Sequence, residues 1–140
     1  MKKVLVINGP SLNLLGSREV DVYGSTTYAE LVKMIKEEAK KKGIIAKCVQ
    51  SNYEGKIIDY IQKAQGKYAG LIINPGAYSH YSYAIRDAIA AVNIKTVEVH
   101  ISNVNEREEF RKRLVISDVC AKVIIGHGIK GYLEALDEFL

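Results

Sequence analysis

Apolar positions along the chain follow two different periods, and the switches between them mark the elements. The continuous apolar run Leu71 to Ile73 suits a strand buried on both faces, and Val4 to Asn8, Ile44 to Gln50, Lys95 to His100 and Val123 to Ile125 read as the other strands. Stretches with a helical repeat lie between them. Thr27-x-x-Glu30 is a capping box opening a helix to about Lys42, with Gly43 as its stop. Glu54 to Gln65 carries Ile57, Ile58 and Ile61 inward and ends at Gly66. After the third strand, Ser79 is placed to cap a helix whose buried stripe is Ile85, Ala88, Ile89 and Val92. Asn105-x-x-Glu108 reads as the start of a short charged helix over EREEFRKR, and Lys130 to Leu140 as a last helix burying Leu133, Leu136 and Leu140.

Strands alternating with helices in this way predict an α/β fold, a three-layer flavodoxin-like sandwich around a five-stranded parallel sheet of order 2-1-3-4-5. Residues 1–140 then form a single catalytic domain, with the third strand at its centre. Ligands of such sheets bind beyond the carboxyl ends of the strands. The third strand breaks there at Asn74-Pro75-Gly76, where Pro75 cannot continue a ladder and Gly76 permits a turn. His80 and Asp87 are seven apart, hence on one face of the expected helix and away from its apolar stripe; they meet solvent, a ligand or another subunit. The connection from Gly9 to Thr26 is far longer than the roughly 2 to 6 residues that normally suffice, which marks a lid or binding loop. It holds Arg18 and Tyr23 between Gly16 and Gly24, with Glu19 and Asp21 as solvating charges.

Composition narrows the chemistry. With 20 basic and 16 acidic residues the net charge is +4, and no basic face interleaved with aromatics suggests nucleic acid; a small anionic substrate fits better. Cys48 and Cys120 lack the spacings of zinc ligands or a redox dithiol and read as buried free thiols in a reducing compartment. The N-terminal apolar run is too short for a signal peptide or membrane span, so a cytoplasmic protein is expected. His80, His100 and His127 show no metal-ligand spacing, and no glycine-rich phosphate loop follows a strand. Neither metal nor cofactor is called for, and what remains is acid–base chemistry.

Polar groups from three strand ends converge on one sheet edge: Asn8, Arg18 and Tyr23; Asn74, Ser79 and His80; His100, Ser102 and Arg107. Arg107 and Arg111, four apart, suit a clamp on carboxylate or polyol oxygens. A tyrosine acting as a base must first ionise, and an ordinary phenol is ionised to about one part in a thousand at pH 7. A cation about 4 Å away, at an effective dielectric near 20, supplies roughly the 4 kcal/mol needed. Arg18 is the first candidate for that cation beside Tyr23, and Arg107 the second. A histidine needs much less help as a proton donor, and Glu98, two residues along the same strand face, is placed to assist His100. A non-catalytic receiver module would need acidic residues where Asn8 and Asn74 stand, and a structural assembly protein would oligomerise with no dehydration and no binding of anionic cyclic polyols.

The blocks INGPSLNLLGSRE, VYG, QSNYEG, INPGAYSHYSYAIRDA, VEVHISN, REEFR and IIGHGIKGY, in that order and spacing, resemble type II 3-dehydroquinate dehydratases from end to end. The resemblance implies dehydration of 3-dehydroquinate to 3-dehydroshikimate through an enolate, without a lysine Schiff base, in the shikimate or quinate pathway. It also implies a homo-oligomer, a dodecamer built from trimers. Position by position it makes Tyr23 the base, Arg18 its support, His100 the acid, Glu98 the group orienting that acid, and Asn74 a ligand of substrate and water. Ile101 and Ser102 would hold the carboxylate, His80 and Arg111 the ring hydroxyls, and Arg107 would be the lid arginine. Asp87 would reach a neighbouring subunit's site. Of the positions that depart from the pattern, two bear on the site, whereas Tyr53, Lys112, Arg113, Leu114 and His127 carry no assigned role. Ser11 stands where the family usually has an active-site Asn, and Val20 replaces a common Pro, which frees the lid backbone.

Overall fold

Side chains of a strand alternate between faces. In β1 (Lys2–Asn8) of the computed structural model, which describes residues 1–140, Val4 and Val6 therefore enter one core while Leu5 and Ile7 enter another. β2 (Ile44–Gln50) and β3 (Gly70–Asn74) divide likewise, whereas β4 (Lys95–His100) and β5 (Lys122–Ile125) give Val97, Val99 and Ile124 to the first core and nothing to the second; all five strands are parallel and ordered β2-β1-β3-β4-β5. Helices α2 (Tyr28–Lys41) and α5 (Lys130–Leu136) cover one face, with Leu31, Ile35, Tyr132 and Leu136 fully buried. The other face is covered by α3 (Glu54–Lys63) and α4 (Tyr83–Val92) through Ile57, Ile61, Ile85 and Ile89. The three layers and the strand order are those expected. Each such apolar side chain contributes about 1.5–3 kcal/mol on burial. The capping box is present in full: Glu30 N donates to Thr27 Oγ1 at 3.2 Å and Thr27 N to Glu30 Oε1 at 3.2 Å.

Three expectations are corrected. Ser82, not Ser79, caps α4, its hydroxyl accepting from Ile85 N at 3.1 Å. Gly76, at φ 59°, instead starts a 3-10 turn over Gly76–His80, in which Ser79 Oγ donates to the Gly76 carbonyl at 2.7 Å. His80 thus precedes the helix, and the shared face with Asp87 does not exist; of the two, only Asp87 lies on α4, where it is exposed. The charged stretch after β4 is not a helix either. It forms 3-10 turns at Val104–Glu106 and Glu109–Lys112, broken by an extended Arg107, with Asn103 rather than Asn105 as the first cap. Its first turn buries only Val104 and its second buries nothing, so no stripe holds a regular helix down. Finally, α5 stops at Leu136 and a 3-10 turn, Asp137–Phe139, follows. Tyr132, Ala135, Leu136 and Phe139 are buried, Leu133 is half-buried and Leu140 is exposed. The larger rings fill the space beneath the helix: the Phe139 ring lies on Gly70, where a Cβ would come within 2.1 Å of it.

The two thiols are free, and each is half-buried rather than buried as expected. Burial pushes Cys48 up to about 11 and Cys120 up to about 12, and raises the Tyr132 phenol as well. Groups raised in the folded state stabilise it fully below their unfolded values, about 9 for a thiol, and that stabilisation is lost as pH rises through the folded values. Urea midpoints are therefore expected to hold up to about pH 9 and then fall towards pH 11 to 12; midpoints that do not fall there would contradict the burial of these groups. No helix is long and apolar enough to cross a membrane.

Candidate active site

The exits of β1 and β3 are locked together at the carboxyl edge of the sheet. Asn8 and Asn74 are in register, Gly9 N donates to the Asn74 carbonyl at 2.8 Å, and a Cβ on Gly9 would sit 2.6 Å from the Pro75 oxygen. Only glycine allows that approach. The long connection then leaves the sheet through a 3-10 turn, Leu12–Leu14, anchored by buried Leu12, and through the short helix α1 (Val20–Tyr23). Ser11 starts it at φ 68°, its N–H donating to Asn52 Oδ1 at 3.0 Å.

Between this connection and the loops after β3 and β4 lies a cavity of about 600 Å³, counting its open mouth. Ser11, Arg18, Tyr23, Asn74, His80, His100, Ile101, Ser102, Arg107 and Arg111 all line it. Glu98 lies beneath it, fully buried, and reaches it through His100. Asp87 is outside the cavity, its side chain 77% exposed with Arg86 at 3.7 Å. A wider depression at Met1–Lys3 and Gly66–Ala69 lies at the amino edge and brings no acid and base together.

Two assemblies of ionisable side chains meet the same cavity. On one wall, Arg107 Nη1 donates to the Tyr23 hydroxyl at 2.7 Å, and the Arg18 guanidinium carbon lies 4.1 Å from the Tyr23 ring centre. Arginine only donates, so the phenolic oxygen is the acceptor. Arg107 therefore makes the direct contact and Arg18 the stacking one, the reverse of the expected ranking. Glu19, expected only to solvate the loop, bridges both arginines, at 4.0 Å from Arg18 and 3.4 Å from Arg107. On the other wall, His100 Nε2 is 2.5 Å from Glu98 Oε2. No three His, Cys, Asp or Glu side chains are grouped to hold a metal ion.

The remaining side chains set orientation. His80 Nδ1 is 2.9 Å from the Arg113 carbonyl, which can only accept, so the neutral ring carries its proton there and leaves Nε2 as an acceptor. Burial lowers the His80 value, opposed by that carbonyl and reinforced by His100 and Arg111, which favours the neutral ring. Arg111 pairs with Glu108, and Arg107 Nη1 also lies 3.4 Å from Ser102 Oγ.

The sequence profile of the family described as dehydroquinase class II matches residues 2–140. The chain belongs to the class II dehydroquinase family. It is 60% identical over 137 residues, 97% of this chain and 94% of the relative, to the 3-dehydroquinate dehydratase of Caldicellulosiruptor saccharolyticus. Against the protein of the same name from Bacillus cytotoxicus the identity is 56% over 136 residues, covering 97% and 93%. The type II dehydroquinase structure from Butyrivibrio crossotus superposes with a TM-score of 0.96 at 58% identity, covering 98% of this chain and 96% of that one.

One residue of this class II dehydroquinase was not singled out from the sequence. Tyr132, on α5 and fully buried, donates its hydroxyl to Asn8 Oδ1 at 2.7 Å and accepts from Asn74 Nδ2 at 2.9 Å. Gly76 N donates to Asn74 Oδ1 at 3.1 Å, so the Asn74 amide is held from both sides. The only hint in the sequence was a tyrosine in a helix expected to bury leucines. Tyr132→Phe leaves Asn8 Oδ1 without its donor, and Asn8 Nδ2 already has no partner. A loss of about 1–3 kcal/mol is expected. Thermal unfolding should read it as a drop of several degrees; an unchanged midpoint would show that the amides find other partners.

Proposed function

We propose that this chain dehydrates 3-dehydroquinate to 3-dehydroshikimate and water. The observation that carries the reading is the pair of assemblies, Arg18–Tyr23–Arg107 and Glu98–His100, on one cavity. Tyr23, as phenolate, takes a proton from the carbon next to the ketone, and the electron pair moves onto the ketone oxygen as an enolate. Collapse of the enolate forms the ring double bond and expels the hydroxyl one carbon further on, which leaves as water with a proton from His100. Arg18 and Arg107 stabilise the phenolate, and Asn74, with Ser11 at the same wall, holds substrate and the water serving the enolate. Ile101 and Ser102 hold the carboxylate, while His80, through Nε2, and Arg111 take the ring hydroxyls. No lysine lines the cavity, which supports a route without a Schiff base.

We further read residues 1–140 as one catalytic domain acting in the cytoplasm, in the shikimate or quinate pathway, and assembling as a dodecamer of trimers. The outward carboxylate of Asp87 supports the assembly, because it is available to a neighbouring subunit's site. Adding 3-dehydroquinate to the purified chain should produce the absorbance of a conjugated enone. No absorbance change under conditions where a related dehydratase is active overturns the reading, and a monomer in sedimentation overturns the assembly.

A further inference from the structure

Glu98 sits in the middle of β4, in register with Ile73 on one side and Val123 on the other, and is wholly buried. A carboxylate taken that far from water is tolerated only when its oxygens are paired and hydrogen-bonded. Oε2 meets His100 Nε2, and Oε1 accepts from Ser117 Oγ at 2.7 Å. Ser117 comes from a different part of the chain. It opens the 3-10 turn Ser117–Val119 just before β5 and takes no part in the cavity lining. A serine in such a turn ordinarily bonds its own backbone; this one reaches a carboxylate on the neighbouring strand.

Its position is fixed on both sides. Ile116 is fully buried in the core between the sheet and α3–α4, and Asp118 takes two bonds from Arg86, at 3.1 and 2.6 Å. We propose that Ser117 is a positioning residue for the proton donor: its hydroxyl clamps Glu98, and Glu98 in turn keeps a hydrogen on His100 Nε2. Delivery of a proton is then left to Nδ1. This rests on the dehydratase reading and extends it to a residue that never touches substrate.

The relay has a signature that a purely structural serine lacks. Without the hydroxyl, Oε1 is buried with no donor, and the state with neutral His100 and charged Glu98 suffers most, because no imidazolium then shares the charge. The pair therefore keeps its proton to higher pH and shifts it towards Glu98, which makes it a poorer donor. The other ionisable groups near it, His80, Arg107 and Arg111 on the cavity side and Cys120 beside Glu98, are unchanged by the substitution.

The test compares the full chain with Ser117→Ala, Ser117→Thr and Asp118→Asn, measuring kcat and KM for 3-dehydroquinate from pH 6 to 10. Ser117→Ala is expected to lose about tenfold in kcat with little change in KM, and its alkaline limb should move up by about half a pH unit or more. Ser117→Thr keeps a hydroxyl and should restore both. Asp118→Asn removes the charge of the Arg86 pair but keeps an oxygen that can accept from Arg86 and keeps the Ser117 hydroxyl, so it should leave the limb in place. An alkaline limb unmoved in Ser117→Ala, or moved equally in Asp118→Asn, overturns the proposal. The His100 ring can also be titrated by carbon-13 NMR, since the chain has 3 histidines. There, loss of the hydroxyl should shift the ring's titration upward, and an identical titration overturns the relay. That measurement needs no turnover: if the unmodified chain forms no enone, the dehydratase reading fails while the relay is still tested. Should Ser117→Ala not fold, Ser117→Cys, a weaker donor of similar size, is expected to give a smaller shift of the same sign, and no shift counts against the proposal.

Discussion

Tyr23→Phe should lower kcat by about 10³-fold while the protein stays folded and still binds substrate. A positioned general base typically contributes about 10²- to 10⁴-fold, and phenylalanine removes the one oxygen that Arg107 addresses at 2.7 Å. Little else changes. Tyr23 is only half-buried, and its ring would remain beneath the Arg18 guanidinium, so packing of the connection is retained. The cost to stability should be the modest one of a single partly solvated hydrogen bond, about 1 kcal/mol. Enone formation, thermal unfolding and calorimetric titration with a product analogue separate the outcomes. Near-normal turnover would remove Tyr23 as the base and leave the cavity without a proton acceptor on that wall. Loss of turnover together with loss of binding would instead mean that the phenol is mainly a ligand.

The parts of this site that could be read from sequence are those fixed by strand ends. Asn74 and His100 end their strands, so their placement at the carboxyl edge follows from the order of elements, and Glu98, two residues before His100, falls on the same strand face. Tyr23 and Arg18 were recognisable because the connection holding them is too long to be a simple turn. What could not be read depends on contacts between distant segments. Arg107, only the second candidate for the cation beside Tyr23, makes the direct hydrogen bond across 84 residues of sequence, Tyr132 joins Asn8 to Asn74, and Ser117 meets Glu98 through a turn with no periodic pattern. The errors in the helices have the same origin. Ser79 and Asn105 are good caps by residue type, but Ser82 and Asn103 take those roles because the preceding 3-10 turn and the end of β4 decide where the chain can turn. Local preference is worth about 1 kcal/mol at a cap, less than the tertiary packing that overrides it. The family resemblance supplied roles, whereas the geometry supplied partners, and it was the partners that reversed the ranking of the two arginines.

His100→Gln should separate the two halves of the reaction. If Tyr23 first removes the proton and His100 acts only when the hydroxyl leaves, the variant keeps the first step and loses the second. In deuterium oxide the carbon next to the ketone is therefore expected to exchange its hydrogen while enone formation falls by about 10²- to 10⁴-fold, the usual contribution of a general acid. Glutamine preserves a donor for Glu98 Oε2 in the position of the ring Nε2, which the buried carboxylate requires. It has no proton to give up to a leaving hydroxyl. Tyr23, Arg18 and Arg107 make no hydrogen bond to His100, so their arrangement is undisturbed. Isotope exchange followed by mass spectrometry, alongside enone absorbance, reads both steps in one sample. Exchange reduced as severely as dehydration would mean that proton removal and hydroxyl departure are a single event, and the enolate would then have no separate existence in this cavity.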